Sequence, residues 1–314
     1  MRMLAHIRSR RVEPALSSLG ALVALVMLST MFTPHFASAS NLWNVLLQVS
    51  TVVLVAVGMT FVIGTGGVDL SVGAVMAVAG AIAAVTVHYG IVIAVLAAFG
   101  GALAIGALNG ALIAWLGVQP IVVTLATLIG ARGLAQVISR EGELVTIDTP
   151  SLLLLGRGHL GPVPLQVIVA VLVVGGAMFL LRATSFGRYV LAVGGNRAAA
   201  RLAGVHVRRT LVSVYVLSAA LAAVAGLIVA ARLGASDAAK IGQNMELDAI
   251  AAVVVGGSAL AGGRATILGT VVGALIMQVI ATTFNMLLVP YAWSLVLKAA
   301  IILVAVYWQR PARG

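Results

Sequence analysis

Cysteine, charge and catalytic motifs are scarce in this chain of 314 residues, and each shortage excludes a class of protein. Cysteine is absent, which excludes disulfides and thiolate metal sites. Charged residues make up 9% and hydrophobic residues 62% of the chain, whereas soluble domains contain about 25% charged and about 45–50% apolar residues. The composition is therefore that of an integral membrane protein.

No arrangement of side chains in the sequence is typical of catalysis or metal binding. The five histidines lack the spacing of metal ligands, and there are no paired catalytic carboxylates, no nucleophile elbow and no Walker sequence. We therefore expect no enzymatic activity, no metal site and no cofactor bound by this chain. The net charge is +11, but the arginines cluster at the ends of apolar runs, which indicates membrane lipid and not nucleic acid as the partner.

Long apolar runs are the main feature that is present. A helix needs about 20 apolar residues to cross a bilayer, so we predict an all-α polytopic membrane bundle of about ten transmembrane helices, interrupted at glycines. The predicted spans are 15–33, 45–63, 71–87, 91–116, 120–138, 165–181, 210–231, 246–261, 266–288 and 293–308, within a single domain covering 1–314. The first run could instead be a cleaved secretory signal, but it is longer than the about 7–15 apolar residues of such a signal.

The arginines also predict the orientation of the chain. Residues 182–209 contain six arginines and no acid, whereas residues 139–164 balance two arginines against three acids. Because cytoplasmic loops are enriched in basic residues, we expect the first segment to be cytoplasmic and the second external, together with 232–245. An even number of spans then places the N-terminal segment 1–14 and the C-terminus in the cytoplasm.

The stretch GTGGVDLSVG contains the only charged residue between Glu13 and Arg132, which is Asp69. Gly66 and Gly67 are expected to break the preceding helix, so that the polar residues after them stand where the next helix begins. Asp69 or Ser71 could cap that helix. An interior polar group at a helix break could also contact a transported solute.

Glycines elsewhere predict close helix packing and a weak repeat. The GxxxG pairs at 106–110 and 269–273 remove side-chain bulk from one helix face. Gly73 follows the pair Gly66 and Gly67, and Gly269 follows the pair Gly262 and Gly263 at the same spacing. This spacing is compatible with a parallel repeat whose two breaks lie on the same side of the membrane.

Polar side chains inside the apolar runs are candidates for the pathway of an uncharged, hydroxyl-rich solute. The residues that we single out are Asn109, Thr124, Thr127 and Gln136. Each could instead make an interhelical hydrogen bond. Asn109 and Thr124 flank a short turn and could form part of a gate, whereas Lys298 is expected to snorkel toward the external surface.

Several motifs in sequence order resemble one known family. They are GMTFVI followed by GTGGVDLSVGAVMAVAGA, then VQPIVVTLAT, GARG and ELDAIAAVVVGG. Over nearly its whole length the chain resembles the membrane permeases of bacterial ABC sugar importers of the ribose, xylose and galactofuranose group, and it looks most like a galactofuranose permease. The resemblance implies import of a monosaccharide across the bacterial inner membrane by two permease subunits, identical or different. It also implies a periplasmic sugar-binding protein and two cytoplasmic ATPase subunits, which bind ATP and Mg.

Within the cytoplasmic segment 182–209, the stretch SFGRYVLAVGGNRAAARLAG resembles the coupling segment of that family, which docks on the ATPase. Val190, Leu191 and Val193 are expected to offer it an apolar contact, and residues 194–195 to form a turn. Asn196 is expected to cap the helix that follows. The resemblance assigns the coupling role to Gly187, Arg188, Gly194, Asn196, Arg197, Ala199, Ala200 and Gly204.

Two other classes of transporter are alternatives. An ion-coupled secondary transporter of a small polar solute needs a titrating acid within the membrane, for which Asp69 is the sole candidate between residues 14 and 131. A passive channel needs a constriction lined by matched ligands, and the sequence shows no such concentration of polar residues.

Overall fold

Helices form wherever the sequence is continuously apolar, because a backbone in hydrocarbon must satisfy its own hydrogen bonds. The computed structural model describes residues 14–308. Its helices are α1 (Pro14–Phe32), α2 (Ala39–Gly64), α3 (Val72–Thr86), α4 (Ile91–Trp115), α5 (Pro120–Ile138), α6 (Pro150–Arg157), α7 (Leu165–Ala183), α8 (Ser185–Gly195), α9 (Arg197–Leu202), α10 (Val207–Leu233), α11 (Met245–Val255), α12 (Ile267–Met286) and α13 (Tyr291–Trp308). The short strands are β1 (Val145–Thr146), β2 (His159–Leu160), β3 (Val163–Pro164) and β4 (Ala235–Ser236).

The polytopic helical bundle is confirmed, but the count of about ten spans is not supported. Within residues 14–308, seven helices are long and apolar enough to cross a membrane, namely α2, α3 with the 3-10 turn that extends it, α4, α5, α7, α10 and α12. The apolar stretches described in α1 and α13 are shorter. The predicted cytoplasmic segment 1–14 and the C-terminal arginines lie outside the described residues, apart from Pro14.

The predicted span 246–261 is wrong as a continuous helix. Helix α11 ends at Val255 after 11 residues, which is roughly 16 Å and about half of a bilayer core. The chain leaves the helix at Gly257, whose φ of +87° is outside the helical region. A Cβ at Gly256 would collide with the backbone of Gly269 on α12, so close packing between the two helices requires glycine here.

Helix α2 is the centre of the bundle, since every residue from 49 to 64 is buried. The GxxxG prediction is confirmed on two helices. A Cβ at Gly106 or Gly110 of α4 would collide with α10, and a Cβ at Gly273 of α12 would collide with the carbonyl oxygen of Ala252 on α11. In contrast, only 22% of the apolar, membrane-spanning stretch of each of α4, α5 and α7 is buried within this chain.

The two ends of α10 separate two groups of connections. Helices α8 and α9 precede α10, whereas β4 follows it and pairs with β1 in an antiparallel register, with Val145 opposite Ser236. The arginine-rich segment and the loop 139–164 therefore lie at opposite ends of a helix about 40 Å long. Which end is cytoplasmic stays a prediction.

Residues 237–244 do not form a simple external loop. After β4 they fold back into the bundle, where the carbonyl oxygen of Gly242 lies so close to Gly73 of α3 that a Cβ there would collide with it. Lys298 also departs from the prediction, because it does not snorkel. Its Nζ lies 2.7 Å from Oδ1 of Asp248 on α11, and the residue is 8% exposed.

Candidate functional site

Two glycine-containing breaks meet at the end of α2. We call residues 65–71 the first break and residues 256–266 the second break. In the first break, Gly66 has a φ of +76° and donates its N–H to the carbonyl oxygen of Ile63 at 2.8 Å. The predicted helix break at Gly66 and Gly67 is therefore confirmed, since α2 ends at Gly64.

The second break contacts the first through the backbone. The N–H of Gly263 donates to the carbonyl oxygen of Gly64 at 3.0 Å, and a Cβ at Gly262 would lie 2.7 Å from the backbone nitrogen of Gly66. The prediction that both breaks lie on one side of the bundle is therefore confirmed.

Helix α8 ends against the last residue of α2 and against the second break. A Cβ at Gly194 would collide with the carbonyl oxygen of Gly64 and lie 2.5 Å from the nitrogen of Gly263, so three backbone segments meet at this residue. The predicted turn at residues 194–195 is wrong, because both belong to the last turn of α8. The helix instead ends at Asn196, which is extended with a φ of −158°.

Asn196 caps α9, as predicted. Its Oδ1 accepts the N–H of Ala199 at 3.0 Å, and its side chain is exposed. Helix α9 ends before Gly204, whose φ is +81°. The predicted start of this short helix at Asn196 is therefore confirmed.

The predicted apolar contact with a partner is wrong for two of its three residues. Val190 and Val193 are 0% and 1% exposed within this chain, and a Cβ at Gly64 would lie 2.9 Å from a methyl group of Val190. These valines anchor α8 to α2 and are not available to another protein. Leu202 of α9 is 91% exposed and presents an apolar surface instead.

The other coupling residues divide into two groups by exposure. Gly187 and Ala200 are buried, and a Cβ at Gly187 would collide with the backbone of Leu181. The exposed group is Arg188, Asn196, Arg197, Ala199 and Gly204. The segment therefore has one face packed on the bundle and one basic face open to contact.

A cleft of about 410 Å³ lies between the first break, the start of α5 and the junction of α8 with α9. Its lining is mostly backbone and polar side chains, among them Gln119, Asn196 and Arg197, and the complete lining is Thr65, Gly66, Gly67, Val68, Gln119, Pro120, Ile121, Val193, Gly194, Gly195, Asn196, Arg197 and Ala261. Among residues 14–308, no group of three or more histidines or acids could hold a metal ion.

Asp69 is buried at 2% exposure and is held by two serines. Its Oδ1 accepts the N–H of Ser71 at 3.0 Å and the Ser71 hydroxyl at 2.6 Å. Its Oδ2 accepts the hydroxyl of Ser218 on α10 at 3.0 Å. The capping prediction is wrong in detail, because Ser71 makes no side-chain cap and the only backbone N–H that Asp69 accepts is that of Ser71, which precedes α3.

Three of the four pathway candidates lie around the first break. Asn109 donates to the hydroxyl of Ser71 at 3.0 Å and accepts from Thr127 at 2.6 Å, and Thr124 donates to the carbonyl oxygen of Pro120 at 2.9 Å. These are interhelical or local bonds, which was the alternative to a solute contact. Gln136 is exposed, about 24 Å along α5 from Pro120.

Ser218 and Arg132 were not predicted as site residues. A serine among the alanines of α10 is a weak signal, and only its contact with Asp69 marks it. Arg132 is the first charged residue after Asp69 in the sequence. From α5 its Nη1 donates to the carbonyl oxygens of Ala238 and Ile241, at 2.9 and 2.6 Å.

Comparisons with known proteins place these features in context. A sequence profile described as "Branched-chain amino acid transport system / permease component" matches residues 41–306. A galactofuranose transporter permease of Escherichia coli K12 is 42% identical, over 94% of this chain and 89% of the relative. A ribose import permease of the same strain is 40% identical, over 92% and 91%. A fructose import permease of Bifidobacterium longum is 36% identical, over 94% and 87%. The comparison with solved structures found no significant match.

Proposed function

This chain belongs to the family described as the permease component of the branched-chain amino acid transport system, and from this premise we propose that it is the membrane permease subunit of an ATP-driven ABC importer of a monosaccharide. The observation that carries the proposal is the similarity to permeases for galactofuranose, ribose and fructose over nearly the whole chain. The chain is accordingly a multi-pass protein of the bacterial inner membrane. The substrate is a sugar of the galactofuranose or ribose type.

The proposal includes the rest of the importer. Two ATPase subunits bind ATP and Mg in the cytoplasm, a periplasmic protein delivers the sugar, and a second permease subunit, identical or different, completes the pathway. The largely unburied outer faces of α4, α5 and α7 leave room for that subunit and for lipid. Helices α1 and α13 also cross the membrane, residues 237–244 and α11 together make one further crossing, and this even number of crossings leaves both termini in the cytoplasm.

The packing at Gly194 supports a role for α8 in coupling. The exposed basic face, with Arg188 and Arg197, would contact the ATPase, while Gly194 on the packed face touches the end of α2 at Gly64 and the second break at Gly263. Because backbone packs against backbone there, a displacement of α8 cannot be absorbed by side-chain rotation. Movement of the ATPase would therefore reach the second break and the end of α2, next to the first break, directly.

An ion-coupled transporter is less well supported. Its coupling acid would have to exchange protons or ions during transport. Asp69 is 2% exposed, and both of its carboxylate oxygens accept hydrogen bonds from serines.

Reconstitution tests the proposal with a matched pair of glycines. The chain is purified with its ATPase and second permease, placed in lipid vesicles, and assayed for ATP hydrolysis stimulated by sugar-loaded binding protein. Gly194→Ala should abolish the stimulation, because its Cβ collides with Gly64. Gly195→Ala should keep it, because no atom lies within 4 Å of its Cβ position. Sugar uptake driven by a proton gradient, without ATPase or binding protein, would refute the proposal.

A further inference from the structure

A chain of hydrogen bonds, buried except at its partly buried end at Thr127, leads from α5 to the first break. The hydroxyl of Thr127 on α5 donates to Oδ1 of Asn109 on α4 at 2.6 Å. The amide of Asn109 donates to the Ser71 hydroxyl at 3.0 Å, and this hydroxyl donates to Asp69 at 2.6 Å. The hydroxyl of Ser218 on α10 reaches the same carboxylate from the other side at 3.0 Å. One carboxylate thus joins three helices to the first break.

The hydrogen bonds from Asp69 to Thr127 all run in one direction, which is set at the Asp69 end. Oδ1 of Asp69 accepts both the N–H and the hydroxyl of Ser71, so the Ser71 hydroxyl donates its single proton to Asp69. The Ser71 oxygen is then left to accept from the amide of Asn109, whose carbonyl oxygen accepts from Thr127. The bonds are therefore consistent in one arrangement, and a shift of one member disturbs the next.

Burial makes the bonds costly to exchange. Asp69, Ser71, Asn109 and Ser218 are each 1–2% exposed. A polar group that loses its partner here finds no water to replace it, and the penalty for an unpaired buried group is large. The groups therefore move together or the chain of bonds breaks.

The first break begins directly after the residue of α2 that α8 contacts. The end of α8 touches Gly64 at Gly194, and the second break touches Gly66 at Gly262. The start of α5 is linked to the same segment, because the Thr124 hydroxyl lies 3.4 Å from the carbonyl oxygen of Val68. Most of the membrane-spanning stretch of α5 is not buried within this chain. Helix α5 is therefore less constrained by packing than α2 or α10.

We propose that the chain of hydrogen bonds from Asp69 through Ser71 and Asn109 to Thr127 is a positioning relay that transmits movement of α8 to α5. The inference rests on the proposed function, since it assigns residues to the coupling of ATP hydrolysis with sugar transport. Asp69 acts as the acceptor that orients the relay. Thr127 is the point at which the relay holds α5.

A second pair of buried hydroxyls provides a matched control. The hydroxyls of Thr60 on α2 and Thr270 on α12 lie 2.8 Å apart. This pair joins two helices with the same chemistry but has no hydrogen bond to the first break. Replacing Thr60 with valine removes an interhelical hydroxyl bond without touching the relay.

The experiment compares Thr127→Val with Thr60→Val in vesicles that contain the complete importer. Two quantities are measured, the number of sugar molecules imported per ATP hydrolysed and the melting temperature of the purified complex. Thr127→Val should lower the sugar-to-ATP ratio roughly threefold or more, whereas Thr60→Val should leave it at the wild-type value. Thr127→Ser keeps the hydroxyl and should restore the ratio. Ser218→Ala removes the other bond to the carboxylate and should lower the ratio as Thr127→Val does.

The outcomes separate the relay from the proposed function. If the wild-type complex is active and Thr127→Val keeps the wild-type ratio, the relay is refuted and the proposed function stands. Equal changes of melting temperature in both valine variants, with unchanged ratios, would show that these bonds serve packing alone. If the wild-type complex shows no hydrolysis stimulated by binding protein, the proposed function is refuted and the relay with it.

Discussion

The ion pair between Lys298 and Asp248 should contribute measurably to stability. It joins α13 to the first turn of α11 at 2.7 Å, and the two side chains are 10% and 25% exposed. Removing one partner of a buried ion pair typically costs about 3–5 kcal/mol, because the other charge is left without compensation. Because a quarter of the Asp248 side chain remains exposed, its charge is only partly desolvated. We therefore expect Lys298→Met to cost about 3 kcal/mol, the low end of that range.

A double-mutant cycle isolates the interaction from the desolvation of each group. Asp248→Asn should also destabilise the fold, because it leaves the Lys298 ammonium with a neutral partner. The double variant, Lys298→Met with Asp248→Asn, buries no unpaired charge and should recover about 2 kcal/mol relative to the sum of the single changes. The assay is the apparent free energy of unfolding of the purified protein in mixed detergent micelles, titrated with SDS.

A second ion pair in the chain is the control. Lys240 lies 3.5 Å from Asp237, and its side chain is 80% exposed. Exposed pairs contribute less than about 1 kcal/mol, so Lys240→Met should change stability little. Equal losses for Lys298→Met and Lys240→Met would refute the reasoning, as would simple additivity in the cycle.

Two further predictions concern packing and the folded-back loop. Gly106→Leu should cost about 1–3 kcal/mol in the same SDS titration, because a Cβ there would collide with α10. Gly100→Leu on the same helix has open space at its Cβ position and should be near neutral. Equal losses would show that the close approach of α4 to α10 is unimportant. Arg132→Leu removes the donor to two carbonyl oxygens of residues 238–241 and should speed hydrogen exchange of amides 237–244 roughly tenfold. Peptides from residues 144–164 serve as the internal control, and unchanged exchange in 237–244 would contradict the prediction.

Helix positions were predicted well where local chemistry decides them. The predicted span 120–138 coincides with α5, because Pro120 is favourable at the first helical position and the apolar run after it is continuous. Helix α2 ends at Gly64, one residue from the predicted boundary. In both cases the signal and the structure that it determines lie within a few residues of each other.

Predictions were wrong where contacts between distant segments decide the outcome. The apolar run continues through residue 261, but α11 ends at Val255, beside the glycines that let α12 approach. Likewise, snorkelling of Lys298 was predicted because it stands alone in the last span and lies nearer the external end of that span. Its partner, Asp248, lies 50 residues away on α11.

The candidate site shows the same division within one group of residues. An isolated carboxylate in an apolar sequence must find hydrogen-bond donors, because burying it unpaired is prohibitively costly. The sequence therefore predicts hydrogen-bond donors to Asp69 at the start of the next helix, and the structure provides one of them in Ser71, two residues away. The other donor comes from Ser218, which lies 149 residues away, and Asn109 joins the chain from a distance of 38 residues. Serine and asparagine side chains of this kind occur in several apolar runs, so neither residue type nor periodicity distinguishes those that reach the carboxylate. The choice depends on which helices approach the first break, and that is decided by the glycine contacts of α2 and α4 with α10.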